Sequence, residues 1–329
     1  MACQGLANMY LSRQTTVCIG IVLCFELGMG SVFASQPIIP GTGQKVDQAG
    51  DDFEDPAWEF THNLPKSSSN IDKDPRYPTG ASTNGRLSEG AFRGGPDIIK
   101  RIDTPAGGVP GSKGALFLAS RETGIPGRVT NEMQQDDLIV EVGNVIGGYV
   151  PPDWYPNFVI RVCLPPFDKW EKRTGSHFGV RADVEGPKIK QQPYNRRFFF
   201  ANQSQELENY WPGIFIQFNQ KVDGYDKDHA VFVIRGNELG HDFVAGSRID
   251  EPGWYTLGMS FTPDGRTHYF AKRGVGPLTA ADHLSTQIPY NSPCRKFNAF
   301  FFNTVNNDDG KTWSTGFAVD DVSFYYTRR

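Results

Sequence analysis

Eleven short runs of apolar or alternating residues, most of them bounded by Gly, Pro, Asp or Asn, follow one another from residue 115 onward. Each run has the length of a strand, and no window of 11–18 residues keeps a helical period. The best short helix candidates are 205–210 and 278–285. Because no internal repeat is present, the pattern predicts a single antiparallel β-sandwich with long loops. The predicted strands are 115–119, 138–142, 158–164, 177–184, 197–201, 214–219, 230–235, 254–262, 267–272, 297–303 and 317–326.

Composition agrees with this fold class. The 329 residues include 24 Phe, 12 Tyr and 36 Gly, which favours strands and turns over helices. Hydrophobic residues make up 38% of the chain, enough for a large core. The formal net charge of −4 gives no basic footprint, so we expect no nucleic-acid partner.

The N-terminal segment resembles a secretory signal. The apolar stretch Thr15–Phe25 follows Arg13, and Ala34 supplies a small residue before a cut. The alternative is an uncleaved anchor helix, but Glu26 interrupts the apolar run that a spanning helix needs. We therefore predict a signal peptide over residues 1–34, a secreted, periplasmic or cell-surface protein, and no membrane span in the mature chain.

The mature chain divides simply. Residues 35–50 lack periodicity and are predicted to be a linker, so residues 51–329 form one domain, expected to be monomeric. Removal of the signal leaves only Cys163 and Cys294. One disulfide is allowed in an oxidising compartment, and two buried free thiols are the alternative.

Acidic pairs flank the first and last predicted strands. Asp51-Asp52, with Glu54, opens the domain, and Asp320-Asp321 lies in its final strand. If these terminal strands are neighbours, the carboxylates converge, and Ca²⁺ prefers such oxygen ligands. The sequence thus suggests a structural calcium site at these residues. The alternative is that they are solvated charges at strand ends.

Three segments carry a resemblance to a known group of proteins. The segments DDFED (51–55), WYTLGMSFTPDGRTHYF (254–270) and VDDVSFYY (319–326) resemble the concanavalin-A-like lectin/glucanase superfamily, and more narrowly a group of uncharacterised bacterial secreted proteins. The resemblance is best over about the last 80 residues. It implies an all-β, antiparallel two-sheet jelly-roll sandwich whose concave sheet serves glycan binding, glycoside hydrolysis or polysaccharide lysis. Fold alone does not choose among these.

Aromatic residues next to turns could bind sugar, because pyranose C–H faces pack on rings while hydroxyls find polar partners. Core packing and loop anchoring are the alternative roles. These residues suggest an extracellular polysaccharide as partner. The candidates are Trp154, Tyr155, Trp170, Tyr210 and Trp211.

A lyase needs a His or Tyr base and groups that neutralise a uronate carboxylate. His177 and Arg181 are predicted on one face at a spacing of four. Gln217, Arg235, His268 and Tyr269 complete this candidate set, although such residues are often plain surface. A hydrolase needs two carboxylates, and only Asp183 with Glu185 offers a same-face pair. Three functions thus remain open: polysaccharide binding with a structural calcium site, a lyase or hydrolase, and a non-catalytic structural surface protein.

Overall fold

The structure is a computed structural model that describes residues 36–66, 77, 79–125, 127–188 and 206–328. Within these ranges, eighteen strands and a few short helical turns make up the regular structure. The strands are β1 (Gln44–Asp51), β2 (Phe60–Thr61), β3 (Ala81–Ser82), β4 (Leu87–Glu89), β5 (Ile98–Asp103), β6 (Gly114–Ala119), β7 (Gln134–Val140), β8 (Asn157–Leu164), β9 (Gly175–Pro187), β10 (Leu207–Tyr210), β11 (Gly213–Asn219), β12 (His229–Arg235), β13 (Phe243–Ile249), β14 (Gly253–Phe261), β15 (Thr267–Arg273), β16 (His283–Gln287), β17 (Lys296–Asn306) and β18 (Phe317–Tyr326). The helical turns are α1 (Gly143–Ile146) and the 3₁₀ segments Pro152–Trp154, Phe167–Lys169, Lys221–Asp223, Ala280–Asp282 and Pro289–Asn291.

The strands pair into two antiparallel sheets, which confirms the predicted sandwich. The smaller sheet runs in the order β16-β15-β14-β8-β18-β6-β5, with β1 also paired to β18. The larger sheet runs β13-β12-β11-β9-β17-β7-β4-β3-β2, with β10 also paired to β9. The first and last strands, β1 and β18, are neighbours, which is the condition on which the predicted calcium site depended. Strands β9, β11 and β17 lie at the centre of the larger sheet, so their outward side chains define the middle of its outer face.

Aromatic rings fill the space between the sheets. Phe158 of the smaller sheet stacks on Phe300 of the larger one, with 4.3 Å between ring centroids. Phe178 and Phe302 lie on the same inner side and are fully buried. Because side chains alternate between the two faces of a strand, the residue between Phe300 and Phe302 on β17 points outward, away from the core.

Three segments differ from the sequence prediction. Residues 44–50, expected to be linker, belong to β1, which pairs with β18 around a β-bulge. The strand is held by backbone hydrogen bonds, and its side chains are mostly exposed, so it carries no apolar period. In place of the candidate helix 205–210, residues Leu207–Tyr210 form the strand β10, which pairs with β9. The candidate helix 278–285 forms a single 3₁₀ turn followed by β16. The predicted strand 197–201 and the signal segment 1–34 lie outside the described residues.

The two cysteines of the domain are free thiols. Cys294 is fully buried, and Cys163 is partly buried on β8. Burial raises the pKa of the Cys163 thiol to about 11, so the reactive thiolate is rare at neutral pH. No helix in the described part of the chain is long and apolar enough to cross a membrane.

Candidate functional site

Polar and aromatic side chains cover the middle of the larger sheet's outer face. The register places Arg235, Gly213, Arg181 and Phe301 in one row across β12, β11, β9 and β17. The next row is Val233, Phe215, Gly179, Asn303 and Asp137, which extends to β7. We call these two rows together the Arg181 face.

Arg181 is the central residue of this face and is 7% exposed. Its Nε donates a hydrogen bond to the main-chain oxygen of Trp211 at 3.1 Å. Gly213 makes room for the side chain, because a Cβ there would lie 2.5 Å from Arg181 Cγ. Burial lowers the pKa of the guanidinium to about 10, so it remains a cation at neutral pH.

Aromatic rings surround the Arg181 guanidinium. Its Cζ lies 5.4 Å from the Phe301 ring centroid and 5.9 Å from those of Phe215 and Trp211. These distances permit cation–π attraction. No carboxylate among the described residues forms an ion pair with Arg181. Within the described ranges, the larger sheet therefore holds a desolvated cation on its outer face without a salt-bridge partner.

The Phe215 ring connects two arginines. Arg235 Cζ lies 5.1 Å from the same ring centroid, on the neighbouring strand. Arg235 also approaches Asp242, with 3.4 Å between its Nε and a carboxylate oxygen. Its side chain is about one-third exposed, so this second guanidinium is accessible from solvent.

Asp137 is the acidic group of the face. Its Oδ1 accepts hydrogen bonds from Asn303 Nδ2 at 2.6 Å and from Gln135 Nε2 at 3.1 Å. Burial raises the pKa of Asp137 to about 6, against the opposing effect of Arg181 and Arg93. The carboxyl therefore changes its protonation state just below neutral pH.

Three of the predicted lyase residues lie on the outer side of the larger sheet, two of them in the Arg181 face. Arg181, Gln217 and Arg235 all point outward from neighbouring strands. Gln217 donates a hydrogen bond to Asn219, which in turn contacts His229 at 3.1 Å. The structure thus brings Arg181 and Arg235 into one row, whereas Gln217 lies four residues from Gly213 along β11, roughly 13 Å from that row.

His177 lies apart from them, inside the sandwich. It is the extra residue of a β-bulge, because Ile216 pairs with Phe178 while Gln217 pairs with Ser176. The bulge breaks the alternation on which the prediction of a shared face with Arg181 rested. The imidazole packs against Trp170, and burial lowers its pKa to about 3.

His268 and Tyr269 belong to the smaller sheet and do not reach the Arg181 face. His268 contacts the hydroxyls of Thr262 and Thr286 at 2.9 and 2.8 Å. Tyr269 is fully buried in the core, and burial raises the pKa of its phenol well above the usual value. Neither residue contacts the other lyase candidates.

The five loop aromatics separate in the same way. Trp170 and Tyr210 are core residues, at 2% and 6% exposure. Trp154 packs against Tyr326 of β18, and Tyr155 follows it at the end of a 3₁₀ turn. Trp211 is 43% exposed and borders the Arg181 face. Of the five, Trp211 alone combines open ring surface with contact to Arg181.

The residues predicted to bind calcium are engaged with protein donors. Asp51 accepts from Trp58 Nε1 and Asn84 Nδ2, at 3.1 and 2.6 Å. Glu54 accepts from the backbone N–H groups of Lys113 and Gly114 at the start of β6.

The other three predicted ligands also bind protein groups. Asp52 accepts from the Glu54 N–H, Asp320 from Ser112 Oγ, and Asp321 pairs with Arg161. Among the described residues no three acidic, His or Cys groups come together as a metal site. The arrangement does not fit the six to eight oxygens that Ca²⁺ takes, and calcium here stays a prediction of the sequence.

Asp137, Asn303 and Phe215 are site residues that the sequence analysis did not single out. Asp137 is the second residue of an Asp136-Asp137 pair on β7. The alternation along β7 separates the two: Asp136 is fully buried and Asp137 is on the outer face. The alternation along β7 is visible in the sequence. The hydrogen-bond partner of Asp137, however, is Asn303, which is 166 residues away and gives no local signal.

Comparisons with known proteins leave the family open. No family model matches the chain, and no curated protein matches it. A carbohydrate esterase from a Shiga toxin-encoding bacteriophage is a structural neighbour, with 11% identity, a TM-score of 0.42, and coverage of 74% of this chain and 91% of that one. An alginate lyase from Klebsiella pneumoniae has 10% identity, a TM-score of 0.35, and coverage of 83% and 95%. A glucuronan lyase from Trichoderma reesei has 11% identity, a TM-score of 0.34, and coverage of 72% and 95%. Likenesses of this size carry no argument about activity.

Proposed function

We propose that the protein binds an acidic polysaccharide along the Arg181 face. The observation that carries the proposal is Arg181 itself. Its guanidinium is buried, no carboxylate of the described residues pairs with it, and a backbone hydrogen bond and three rings fix its position. Such a group is suited to meet a carboxylate or sulfate from outside.

The surroundings of Arg181 favour a sugar polymer over a small anion. Trp211 offers an exposed ring on which a pyranose can pack. Gln217 is half-buried on the same side of the sheet, and its amide oxygen can accept a hydrogen bond from a sugar hydroxyl while its Nε2 donates to Asn219. Arg235 lies in the same row as Arg181 and can meet a second anionic residue of an extended chain. Together these groups could contact several successive sugars.

The proposal extends to location. A polysaccharide partner is found outside the cell, which agrees with the predicted signal peptide over residues 1–34. We propose that the mature protein works in the periplasm, at the cell surface or in the medium.

The decisive experiment measures binding to acidic and neutral polymers. Alginate and polygalacturonate serve as acidic probes and dextran as the neutral one, read by calorimetry and by retardation in affinity gels. Arg181→Met removes the charge and keeps much of the volume. Loss of a charged hydrogen-bonded contact corresponds to about 1.5–3 kcal/mol, or roughly a 10- to 150-fold weaker Kd.

Arg273→Met is the matched control. Arg273 ends β15 in the smaller sheet and pairs with Glu251, so its loss should leave binding unchanged. If no acidic polymer binds, or if Arg181→Met binds as tightly as the wild type, the proposal is wrong. A chain that binds no polymer would favour the structural surface role instead.

A further inference from the structure

Asp137 is oriented in a way that a purely structural carboxylate does not need. Both hydrogen bonds from Asn303 and Gln135 go to the same oxygen, Oδ1. No described residue donates to the other oxygen, Oδ2. Asn303 is fully buried, so its amide holds the carboxyl in one orientation. The fold thereby fixes one oxygen and gives the second no donor among the described residues.

The position of Asp137 relative to Arg181 is set by the sheet. Asp137 pairs with Asn303, and Asn303 pairs with Gly179, two residues before Arg181. The carboxylate and the guanidinium therefore lie in adjacent rows of the same face, close enough for each charge to shift the other group's pKa. A sugar whose carboxylate reaches Arg181 would extend towards Asp137.

We propose that Asp137 is a catalytic base that cleaves the acidic polysaccharide by β-elimination. This proposal rests on the proposed function, since Arg181 must first hold a uronate carboxylate. Arg181 would neutralise that carboxylate and so acidify the neighbouring C–H bond. The free Oδ2 of Asp137 would take the proton.

The bond changes balance without a cofactor. The C–H electron pair becomes a C=C bond as the glycosidic C–O bond at the next carbon breaks. The departing oxygen takes a proton from water, and the resulting hydroxide takes the proton held by Asp137. The products are a sugar chain ending in a free hydroxyl and one ending in an unsaturated uronate, and Asp137 returns as a carboxylate.

The same geometry argues against hydrolysis. Glycosidases place two carboxyl groups about 5–9.5 Å apart. On this face of the described structure, Glu141 and Asp183 are the nearest other carboxylates by register. Glu141 is four residues from Asp137 along the chain, and Asp183 is four residues along β9 from Gly179, the partner of Asn303. Four residues of a strand span roughly 13 Å. One carboxylate beside a guanidinium supports elimination, which needs a single base.

The protonation states agree with these roles. A pKa of about 6 for Asp137 leaves it ionised at neutral pH, as a base must be. The groups that face it are Arg181, Arg93, Asn303 and Gln135, and the two arginines favour the ionised form. The rate should therefore rise as the pH increases through about 6.

The test compares the wild type with Asp137→Asn on alginate and polygalacturonate. Ultraviolet absorbance of the new C=C–carboxylate group reports cleavage, and calorimetry on the same samples reports binding. We expect Asp137→Asn to bind with nearly the wild-type Kd and to lose at least about 100-fold in cleavage rate. Circular dichroism and the melting temperature establish that the variant is folded.

Glu141→Gln is the matched control, a carboxylate on the same face that hydrogen-bonds to Asn144. It should keep both binding and cleavage. Wild-type binding without unsaturated product would overturn the catalytic proposal and leave the binding proposal standing. Cleavage that survives in Asp137→Asn would also overturn it. Absence of any binding would overturn both.

Discussion

The ring of Phe215 fills the space that Gly179 leaves on the neighbouring strand. A Cβ added at Gly179 would lie 2.7 Å from ring atoms Cδ1 and Cε1 of Phe215. The ring in turn lies beside the guanidinium groups of Arg181 and Arg235. The absence of a side chain at Gly179 on β9 thus leaves room for the Phe215 ring, beside which the Arg181 and Arg235 guanidinium groups lie.

This contact predicts that Gly179→Ala destabilises the protein. Replacement of a strand glycine by alanine normally leaves the stability of a protein unchanged or raises it. At Gly179, however, the added methyl group must displace the Phe215 ring. We expect the free energy of unfolding to fall by about 1–3 kcal/mol, measured by urea denaturation, together with weaker polymer binding. Gly276→Ala is the control, since its added Cβ would have no atom closer than 3.6 Å. Equal stability of the two variants would contradict the prediction.

Lys66 and Asp136 form a buried ion pair, with 2.6 Å between Nζ and Oδ2. Lys66 is 1% exposed and also approaches Asp97 at 2.9 Å. Lys66→Met would leave Asp136 buried without its cation. We expect a loss of about 3–5 kcal/mol in the free energy of unfolding near pH 8. Near pH 6 the loss should be smaller, because burial raises the pKa of Asp136 to about 7 and the carboxyl is then protonated.

The double variant Lys66→Met/Asp136→Leu separates lost charge pairing from lost packing. Removal of both charges should recover part of the stability that the single variant loses. Urea denaturation of the wild type, the single and the double variant at both pH values gives the comparison. A single variant within about 1 kcal/mol of the wild type at pH 8 would contradict a structural role for this pair.

The central strands of the fold were predictable from sequence, whereas its edges were not. Runs such as 214–219 and 230–235 are buried on at least one face, so their apolar residues mark them as strands. The strands β2, β3 and β10, at or next to the edge of the larger sheet, are short and partly exposed, and backbone pairing defines them. An edge strand needs little side-chain signal, because its neighbour supplies the hydrogen bonds.

The candidate site was predictable only as far as alternation holds. Arg181, Gln217 and Arg235 were found because each lies in an alternating strand. His177 was placed on the wrong face because a bulge at that residue reverses the alternation. Asp137 and Asn303 meet only through the register of β7 with β17, which no local pattern of either strand fixes.

The free thiols predict insensitivity to reductant. Cys163 and Cys294 are not bridged, so dithiothreitol should leave the melting temperature of the mature protein unchanged. Ellman's reagent should react slowly with the native protein, because burial raises the pKa of both thiols. Both should react once the chain is unfolded in guanidinium. A fall in melting temperature on reduction would show a disulfide and contradict this arrangement.

The buried imidazole of His177 predicts a loss of stability in acid. Its Nε2–H donates to the Arg173 carbonyl, and its Nδ1 contacts the Thr315 hydroxyl at 2.7 Å. Burial lowers its pKa from 6.5 to about 3, so the folded state favours the neutral ring. The stabilisation is present above about pH 6.5 and is lost as the pH falls, because the unfolded chain takes up the proton first. This group should lower the free energy of unfolding by up to about 1.4 kcal/mol per pH unit between roughly pH 6 and 4.

Urea denaturation across this pH range compares the wild type with His177→Gln. The variant should be less stable at neutral pH, yet its stability should fall less steeply in acid because no imidazole titrates at that position. His241→Gln is the control, since His241 is exposed, and it should keep the wild-type slope. Should His177→Gln fail to fold, NMR titration of the imidazoles in the wild type gives the same answer. A His177 signal that titrates near pH 6.5 in the folded protein would refute the buried neutral ring.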